Sequence, residues 1–489
     1  MSYTDKTWIR AFRFQTSSSF HTHRVEFDAC GYTLSPLFER SQSIKELTLL
    51  QHKVFNWARI KLPVGLTHLE LRFKIDPDDY WDSHVVSGVF GPLSPSMPLK
   101  SLCISGSDMQ TVNVSQLPRT LERLDLSGNH FRNFESEGKS PSWPVHIKSM
   151  NLGNNKSFDD SSMKQLSQIA WPPFLETLHL GSNEVTSLEY LSNLPRSLKC
   201  LDLSRTDIKT FRVEHNDDTY PFFRFPECLE SLDLQARCME FMRTTRIDAI
   251  PLKDRIQFPS NLKYLNLSWH NKTNIANYLF PSSLETLLME FTDINDLTRY
   301  NYIVGTEEIV SWKHLINLKT LDLRENRLKT LENWCPPKSL QNLNLGVNEI
   351  KCLTASNTPL FNGNFSEYTN NIEVLDISAS TIQDIDDNVV LPRNLRTLDL
   401  GENSMKNFVF TNEFANHQTL ATLDMSSGNL EQISVESPGK SQSHLKSFSI
   451  SFLSCTFRMS KEEFYKVFEQ IGLVVTDKNQ DIEGEHLFK

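Results

Sequence analysis

The phrase L-x-x-L-x-L returns along this chain from Ile44 to Ile450, with mostly polar residues between its copies. Its clearest copies are Leu121/Leu124/Leu126, Leu175/Leu178/Leu180, Leu198/Leu201/Leu203, Leu262/Leu265/Leu267, Leu318/Leu321/Leu323, Leu340/Leu343/Leu345 and Leu395/Leu398/Leu400. Others substitute Ile, Met or Phe, as in Ile147/Met150/Leu152 and Leu445/Phe448/Ile450. About sixteen units result, and self-similarity at this period marks a stack of repeats. Within each unit the x-L-x-L stretch predicts a short strand, with the leucines turned inward and the residues between them turned out. A unit buries its leucines only against its neighbours. The predicted fold is therefore an α/β solenoid: a curved array over 44–455, with short parallel strands on the concave face and helix, 3-10 turns and loops on the convex side.

Two further regularities sharpen the unit. An Asn stands three residues after the last leucine at Asn129, Asn155, Asn183, Asn326, Asn348 and Asn403. Turned inward, it would bond backbone groups of adjacent coils that are otherwise buried unpaired. A proline stands three residues before the first leucine at Pro63, Pro118, Pro144, Pro172, Pro195, Pro226, Pro259, Pro281, Pro337 and Pro392. Its fixed φ and missing N–H suit the end of the convex segment. Start-to-start distances alternate between roughly 22 and roughly 32 residues. The longer units have room for helices, predicted at 159–169 and 306–315.

The ends differ from the array. Residues 1–43, with Trp8, Phe12, Phe14, Phe20 and the strand-like VEFDA, are expected to cap the first coil. Residues 456–489 hold a capping-box match, Ser460 and Glu463, followed by Phe464, Val467, Phe468 and Ile471 at helical spacing. That helix is expected to seal the last coil and to be followed by a polar tail.

These motifs resemble those of the leucine-rich-repeat superfamily. NRLKTLENW (326–334) and NEVTSLEYL (183–191) look like the short units of SDS22-like phosphatase regulators. The P-x-x-L-x-x-L-x-L phrase resembles repeats of bacterial effectors and of fungal F-box-associated proteins, and TDKTWIRAF (4–12) resembles the tail of an F-box. The leucine- and proline-led start of an F-box is absent. The resemblance implies an interaction scaffold, and three partner classes fit it: a Skp1-type adaptor with a ubiquitin-ligase substrate, a phosphatase catalytic subunit, or a small GTPase. A bacterial effector, or an enzyme with a dispersed site, is the outlying reading.

Composition narrows this. A charge of -10 argues against a nucleic-acid partner, which favours a basic face. No apolar run is long enough to insert into a membrane, and MSYTDKTWIRAF lacks the apolar core of a signal peptide. The expected location is the cytosol or nucleus, with the eight scattered cysteines reduced and the sequons at Asn113, Asn155, Asn266, Asn271 and Asn364 unused. No P-loop, dinucleotide fingerprint, nucleophile elbow or zinc motif occurs, so neither enzyme activity nor cofactor nor metal is expected. Ser161 and Lys164 form only an S-x-x-K string, and His21 and His23 lack companion ligands.

What remains is the outward surface of the strands. The residue between the last two leucines is acidic at Glu70, Asp125, Asp202, Asp233, Asp322, Asp376, Asp399 and Asp424. Such a column would attract a basic or mixed partner surface, although LDLS is also a common form of the repeat. Near the middle the inward Asn gives way to Thr206, Arg237, His270 and Thr292, and the outward positions become large and apolar at Tyr264, Trp269, Leu288 and Phe291. Trp269 and Phe291 occupy equivalent places in adjacent coils. They form either an exposed binding patch or packing beneath the long excursions at 207–228 and 236–258.

Overall fold

Inward leucines and a turn at each end of a three-residue strand dictate the architecture. The computed structural model describes residues 13–16, 23–29, 44–51, 62–73, 93–107, 109–136, 141–208, 211, 223–237, 256–270, 275–300, 302–304, 308–310, 312–356, 358–362, 371–426, 430–436, 445–449 and 458–471. The chain forms two compact units, Met1–Phe241 and Met242–Lys489.

In the first unit, Arg13–Thr16 pairs antiparallel with His23–Ala29, which runs parallel to Ile44–Gln51. Parallel strands follow at His68–Phe73, Ser101–Ser105, Arg123–Asp125, Ser149–Asn151, Thr177–His179, Cys200–Asp202 and Ser231–Asp233. In the second unit the parallel series runs Tyr264–Asn266, Thr286–Leu288, Thr320–Asp322, Asn342–Asn344, Val374–Asp376, Thr397–Asp399, Thr422–Asp424 and Ser447–Ser449. Leucine faces leucine in register, as Leu178 does Leu201 and Leu321 does Leu343. Each unit is a leucine-rich α/β solenoid stack. Leu121, Leu124, Leu126, Leu262, Leu265 and Leu267 are wholly buried. Burying one such side chain is worth about 2 kcal/mol.

The ten prolines act through their carbonyls. In every one of those coils the proline oxygen accepts a hydrogen bond from the N–H of the first leucine, at 2.9 to 3.3 Å. Proline thus opens the tight turn that delivers the chain into the strand, a role its fixed φ favours. At the other end of each strand, the residue just before the inward Asn adopts a left-handed conformation: Asn154, Ser182, Glu325, Val347 and Glu402 have φ between 54° and 58°.

The Asn ladder is present and buried. The Asn155 amide donates to the carbonyls of Leu126 and Leu152, and its Oδ1 accepts from the N–H groups of Asn129 and Phe131. Asn129, Asn183, Asn326, Asn348 and Asn403 likewise reach the carbonyl of the last leucine in their own coil and a carbonyl of the coil before. Such amides complete backbone groups that have no water to turn to. Where the ladder lapses, Thr206 reaches only the carbonyl of Leu203, and Thr292 bonds Met289 and Asn326. Arg237 does not take the inward place expected of it. Ala236 is buried there and bridges Thr206, while Arg237 is half-exposed and pairs with Asp207 at 3.7 Å. A guanidinium at that depth would be desolvated, so the coil shifts and presents the small residue instead.

A column absent from the sequence reading runs beside the strands. The residue after the first leucine alternates in sign, as Lys100, Glu122, Lys148, Glu176, Lys199 and Glu230 in the first unit and as Lys263, Glu285 and Lys319 in the second. Their backbones are hydrogen-bonded coil to coil, and Lys100–Glu122, Lys199–Glu176 and Lys319–Glu285 form ion pairs at 3.2, 3.2 and 2.7 Å. Exposed pairs of this kind are screened by solvent and stabilise the fold little. Opposite charges thus face one another in successive coils.

The helix expected at 159–169 spans Asp160–Ser167, capped by the Asp159 carboxylate, which accepts from the Ser162 N–H and the Ser161 hydroxyl. The helix expected at 306–315 is not formed. Glu308–Val310 instead pairs antiparallel with Tyr302–Val304, and a 3-10 turn covers Trp312–His314. Adjacent β-branched residues, Ile303–Val304 and Ile309–Val310, favour that hairpin over a helix. At the C-terminal end, Ser460 and Glu463 form the capping box of helix Lys461–Gln470. Its Phe464, Val467 and Phe468 are buried, with Phe468 5.3 Å from Phe448, so that stripe is core.

Candidate protein-binding surface

The acidic column has a local structural purpose. The side-chain oxygen of Asp125, Asn151, Asp202, Asp233, Asn266, Asp322, Asn344, Asp376, Asp399 or Asp424 accepts the N–H two residues ahead, at 2.8 to 3.0 Å. Aspartate and asparagine are interchangeable here because only the oxygen facing the turn is used. The recurrence of LDL and LNL follows from that bond, and the carboxylate charge is additional to it.

That charge is balanced differently in the two units. Burial works to raise the Asp202 carboxyl, but hydrogen bonds from His179, at 3.2 Å, and Ser204 outweigh it and hold Asp202 below the usual carboxylate range. In the second unit, burial pushes Asp322 and Asp399 up, assisted by repulsion from Asp376 and, at Asp399, from Asp424 and Glu402. The second unit therefore carries a crowded negative column.

The aromatic residues lie at one end of that column. Trp269 and Phe291 stack with ring centroids 4.9 Å apart and planes inclined by 29°. Phe291 is 40% exposed; among the described phenylalanines Phe174 is more exposed, at 59%, but Phe291 is the one stacked on a second aromatic ring at a left-handed turn. Both residues hold the left-handed turn position, at φ 68° and 53°, that Asn154, Ser182, Val347 and Glu402 fill in other coils. A β-carbon there costs about 1 kcal/mol, least for Gly, Asn and Asp. Neighbouring backbone bonds fix the pair: the Trp269 N–H donates to Glu290 O at 2.7 Å and the Phe291 N–H to Arg324 O at 3.0 Å. Tyr264 and Leu288 are half-buried on the strands alongside. The 236–258 excursion lies largely outside the described residues, as do most of 207–228 and the segment containing Trp8.

Three residues unrecognised in the sequence complete this surface. Glu290 and Arg324 hold equivalent places in adjacent coils, one residue beyond the last strand leucine position, and Glu325 occupies the left-handed place beside Phe291. Burial raises the Glu290 carboxyl, with repulsion from Asp322 and Glu325 adding to it and Arg324 opposing. Alignment of the coils at their leucines brings these places together, whereas the clustering of their charges beside Phe291 required the structure.

Among the described residues no group of three metal-binding side chains occurs. A cavity of about 550 Å³ in the first unit is lined by Pro141, Ser167, Gln168, Ile169, Ala170, Trp171, Asn193 and Pro195, with no ionisable group. Ser161 serves the helix cap and does not contact Lys164 in any bond described. Two sequon asparagines, Asn155 and Asn266, are buried. Among the described residues no helix is long and apolar enough to cross a membrane.

No family model matches the chain. It is 26% identical over 323 residues to the transforming growth factor beta activator LRRC33 of Danio rerio, covering 58% of this chain and 45% of that protein. It is 30% identical over 107 residues to human leucine-rich repeat-containing protein 43, covering 22% of this chain and 16% of the other. Among solved structures, a chain of the Drosophila Toll–Spatzle complex superposes with a TM-score of 0.53 at 14% identity, over 89% of this chain and 62% of that one. The chain thus spans less than half the length of these curated relatives. The structural likeness extends to the fold alone.

Proposed function

We propose that the chain, which folds as a leucine-rich solenoid, is a non-enzymatic scaffold that holds a protein partner on the outward strand face of its second unit. One observation carries this: two stacked aromatic rings, one of them 40% exposed, occupy left-handed turn positions that hold Asn154, Ser182, Arg205, Glu325, Val347, Ala379 or Glu402, none of them aromatic, in other coils. Local rules tend to break where function intrudes, and aromatic anchors commonly dominate binding energy. Tyr264 and Leu288 flank the anchor, with Asp322, Asp376 and Asp399 along the same face and Asp202 and Asp233 on the first unit's strands.

Within that reading, the F-box-like TDKTWIRAF and the proline-led coils favour a substrate receptor of a ubiquitin ligase in the cytosol or nucleus. The SDS22-like units favour a phosphatase regulatory subunit, and a small-GTPase regulator is the third class. Affinity purification of the native chain separates them. A Skp1-type adaptor with a cullin supports the first, a phosphatase catalytic subunit the second and a GTPase the third. If no protein is retained specifically at low salt, or if retention is indifferent to replacement of Phe291, the scaffold reading fails.

A further inference from the structure

The second unit sets three consecutive coils side by side so that their outward and turn residues form a small grid. Asn266, Leu288 and Asp322 share one row through the strand pairing. Ser268, Glu290 and Arg324 share the next, with the Glu290 N–H donating to the Ser268 hydroxyl at 3.1 Å. Trp269, Phe291 and Glu325 share the third, all three left-handed. Three carboxylates, Glu290, Asp322 and Glu325, thus face one guanidinium, Arg324, which lies 3.8 Å from Glu325. Phe291 follows Glu290 in its coil and stands between Trp269 and Glu325 in the third row.

We propose that the occupant of this surface is a cationic side chain of the partner, an arginine in a basic segment, seated on the Phe291–Trp269 rings with its charge shared by Glu290 and Asp322. The inference rests on the scaffold reading and names the chemistry of its partner. An aromatic face attracts a cation through its quadrupole, and a planar guanidinium adds stacking and hydrogen bonds in a fork that suits two carboxylates. Charge complementarity excludes an acidic segment, because three carboxylates outnumber one guanidinium here. A purely apolar segment would leave the carboxylates facing one another without added compensation. The raised Glu290 and Asp322 carboxyls fit the same picture, since crowding and burial work against their charge until a cation arrives.

The test uses the full chain and three short blocked peptides of equal length: arginine-rich, lysine-rich and aspartate-rich. Affinities are measured by calorimetry against the native chain and a variant carrying Glu290→Gln, Asp322→Asn and Glu325→Gln. These substitutions keep size and preserve the turn acceptor at residue 322, as Asn344 does at its own place. The native chain is expected to bind the arginine peptide most tightly, the lysine peptide about tenfold more weakly and the aspartate peptide not at all. The neutral variant should lose at least about tenfold of the arginine affinity while melting at or slightly above the native chain, since Glu290 and Asp322 are raised by burial. Equal binding by both chains, a preference for the aspartate peptide, or no binding of the arginine peptide overturns the assignment. A purified partner that depends on Phe291 but is indifferent to the neutral variant overturns this inference alone, and leaves the scaffold reading standing.

Discussion

Asn326 accepts at one side-chain oxygen both the backbone N–H and the hydroxyl of Thr292, a residue of the preceding coil, at 3.1 and 3.0 Å. The same oxygen takes the N–H of Ile294, while the amide donates to the carbonyls of Met289 and Leu323. With a further bond to the Arg324 carbonyl, one buried side chain completes five backbone groups, three of them across the coil boundary next to Phe291. Asn326→Ala removes all of these bonds at once. The expected cost is about 3 kcal/mol, since each buried polar group left unpaired costs about 1–3 kcal/mol and water can reach some of them. Urea unfolding of the two chains measures it. A change below about 1 kcal/mol would show that the ladder is dispensable here.

The acidic column makes a prediction in which aspartates at equivalent places respond oppositely. Asp399 and Asp322 are raised by burial and by neighbouring carboxylates. Their folded forms therefore hold the proton more readily than the unfolded chain does, and their charge destabilises the fold at neutral pH. Asp399→Asn keeps the bond to the Gly401 N–H and removes the charge. Its melting temperature at pH 7 is expected to rise by about 1–2 °C. Asp202 is the reverse case, held low by His179 and Ser204 against the effect of burial. Asp202→Asn should lower the melting temperature. Shifts of the same sign in both variants would contradict the electrostatic account.

His417 supplies a pH dependence. Its ring is buried, with Nε2 3.1 Å from the Pro392 carbonyl and Nδ1 accepting the Leu420 N–H at 3.2 Å, an arrangement that places the single proton on Nε2. Burial lowers its pKa below 6.5, and Glu413 and the Pro392 bond only partly offset this. A depressed folded pKa means that the unfolded chain binds the extra proton first. The contribution is therefore complete above pH 6.5 and is lost as the pH falls below it. The stability difference between the native chain and His417→Gln should be flat above that point. Below it the difference shrinks, by at most about 1.4 kcal/mol per pH unit. Parallel profiles from pH 8 to pH 5 would show that His417 takes no part.

The sequence disclosed what repeats in register and concealed what does not. Leucine spacing identifies the strands because burial demands an inward residue at every second place, and the Asn positions follow because the backbone must be satisfied at the same depth in every coil. Pro63 and its nine equivalents were visible as punctuation, but their carbonyl bond to the leucine N–H is a property of the folded turn. Counting from Leu234 puts Arg237 at the inward place, whereas a local shift buries Ala236 there. A helix and a short hairpin fit the length of 306–315 equally, and its adjacent β-branched residues favour the hairpin. The alternation from Lys100 to Glu230 stands at a fixed place, one residue after the first leucine, but only the structure shows the ion pairs it forms between coils. Trp269 and Phe291 could be paired from their equivalent places, whereas their φ values and the exposure of one ring required the structure.

The central claim is that Phe291 serves a partner and not the core. It is tested most directly by comparing Phe291→Asn with the native chain for both melting temperature and retention of the purified partner. Asparagine accepts the left-handed backbone, so relief of strain and loss of ring stacking are each about 1 kcal/mol and nearly cancel. The account predicts a melting temperature within about 2 °C of native and a loss of partner binding of at least about tenfold. A large fall in melting temperature, or a partner held as tightly as before, would contradict it.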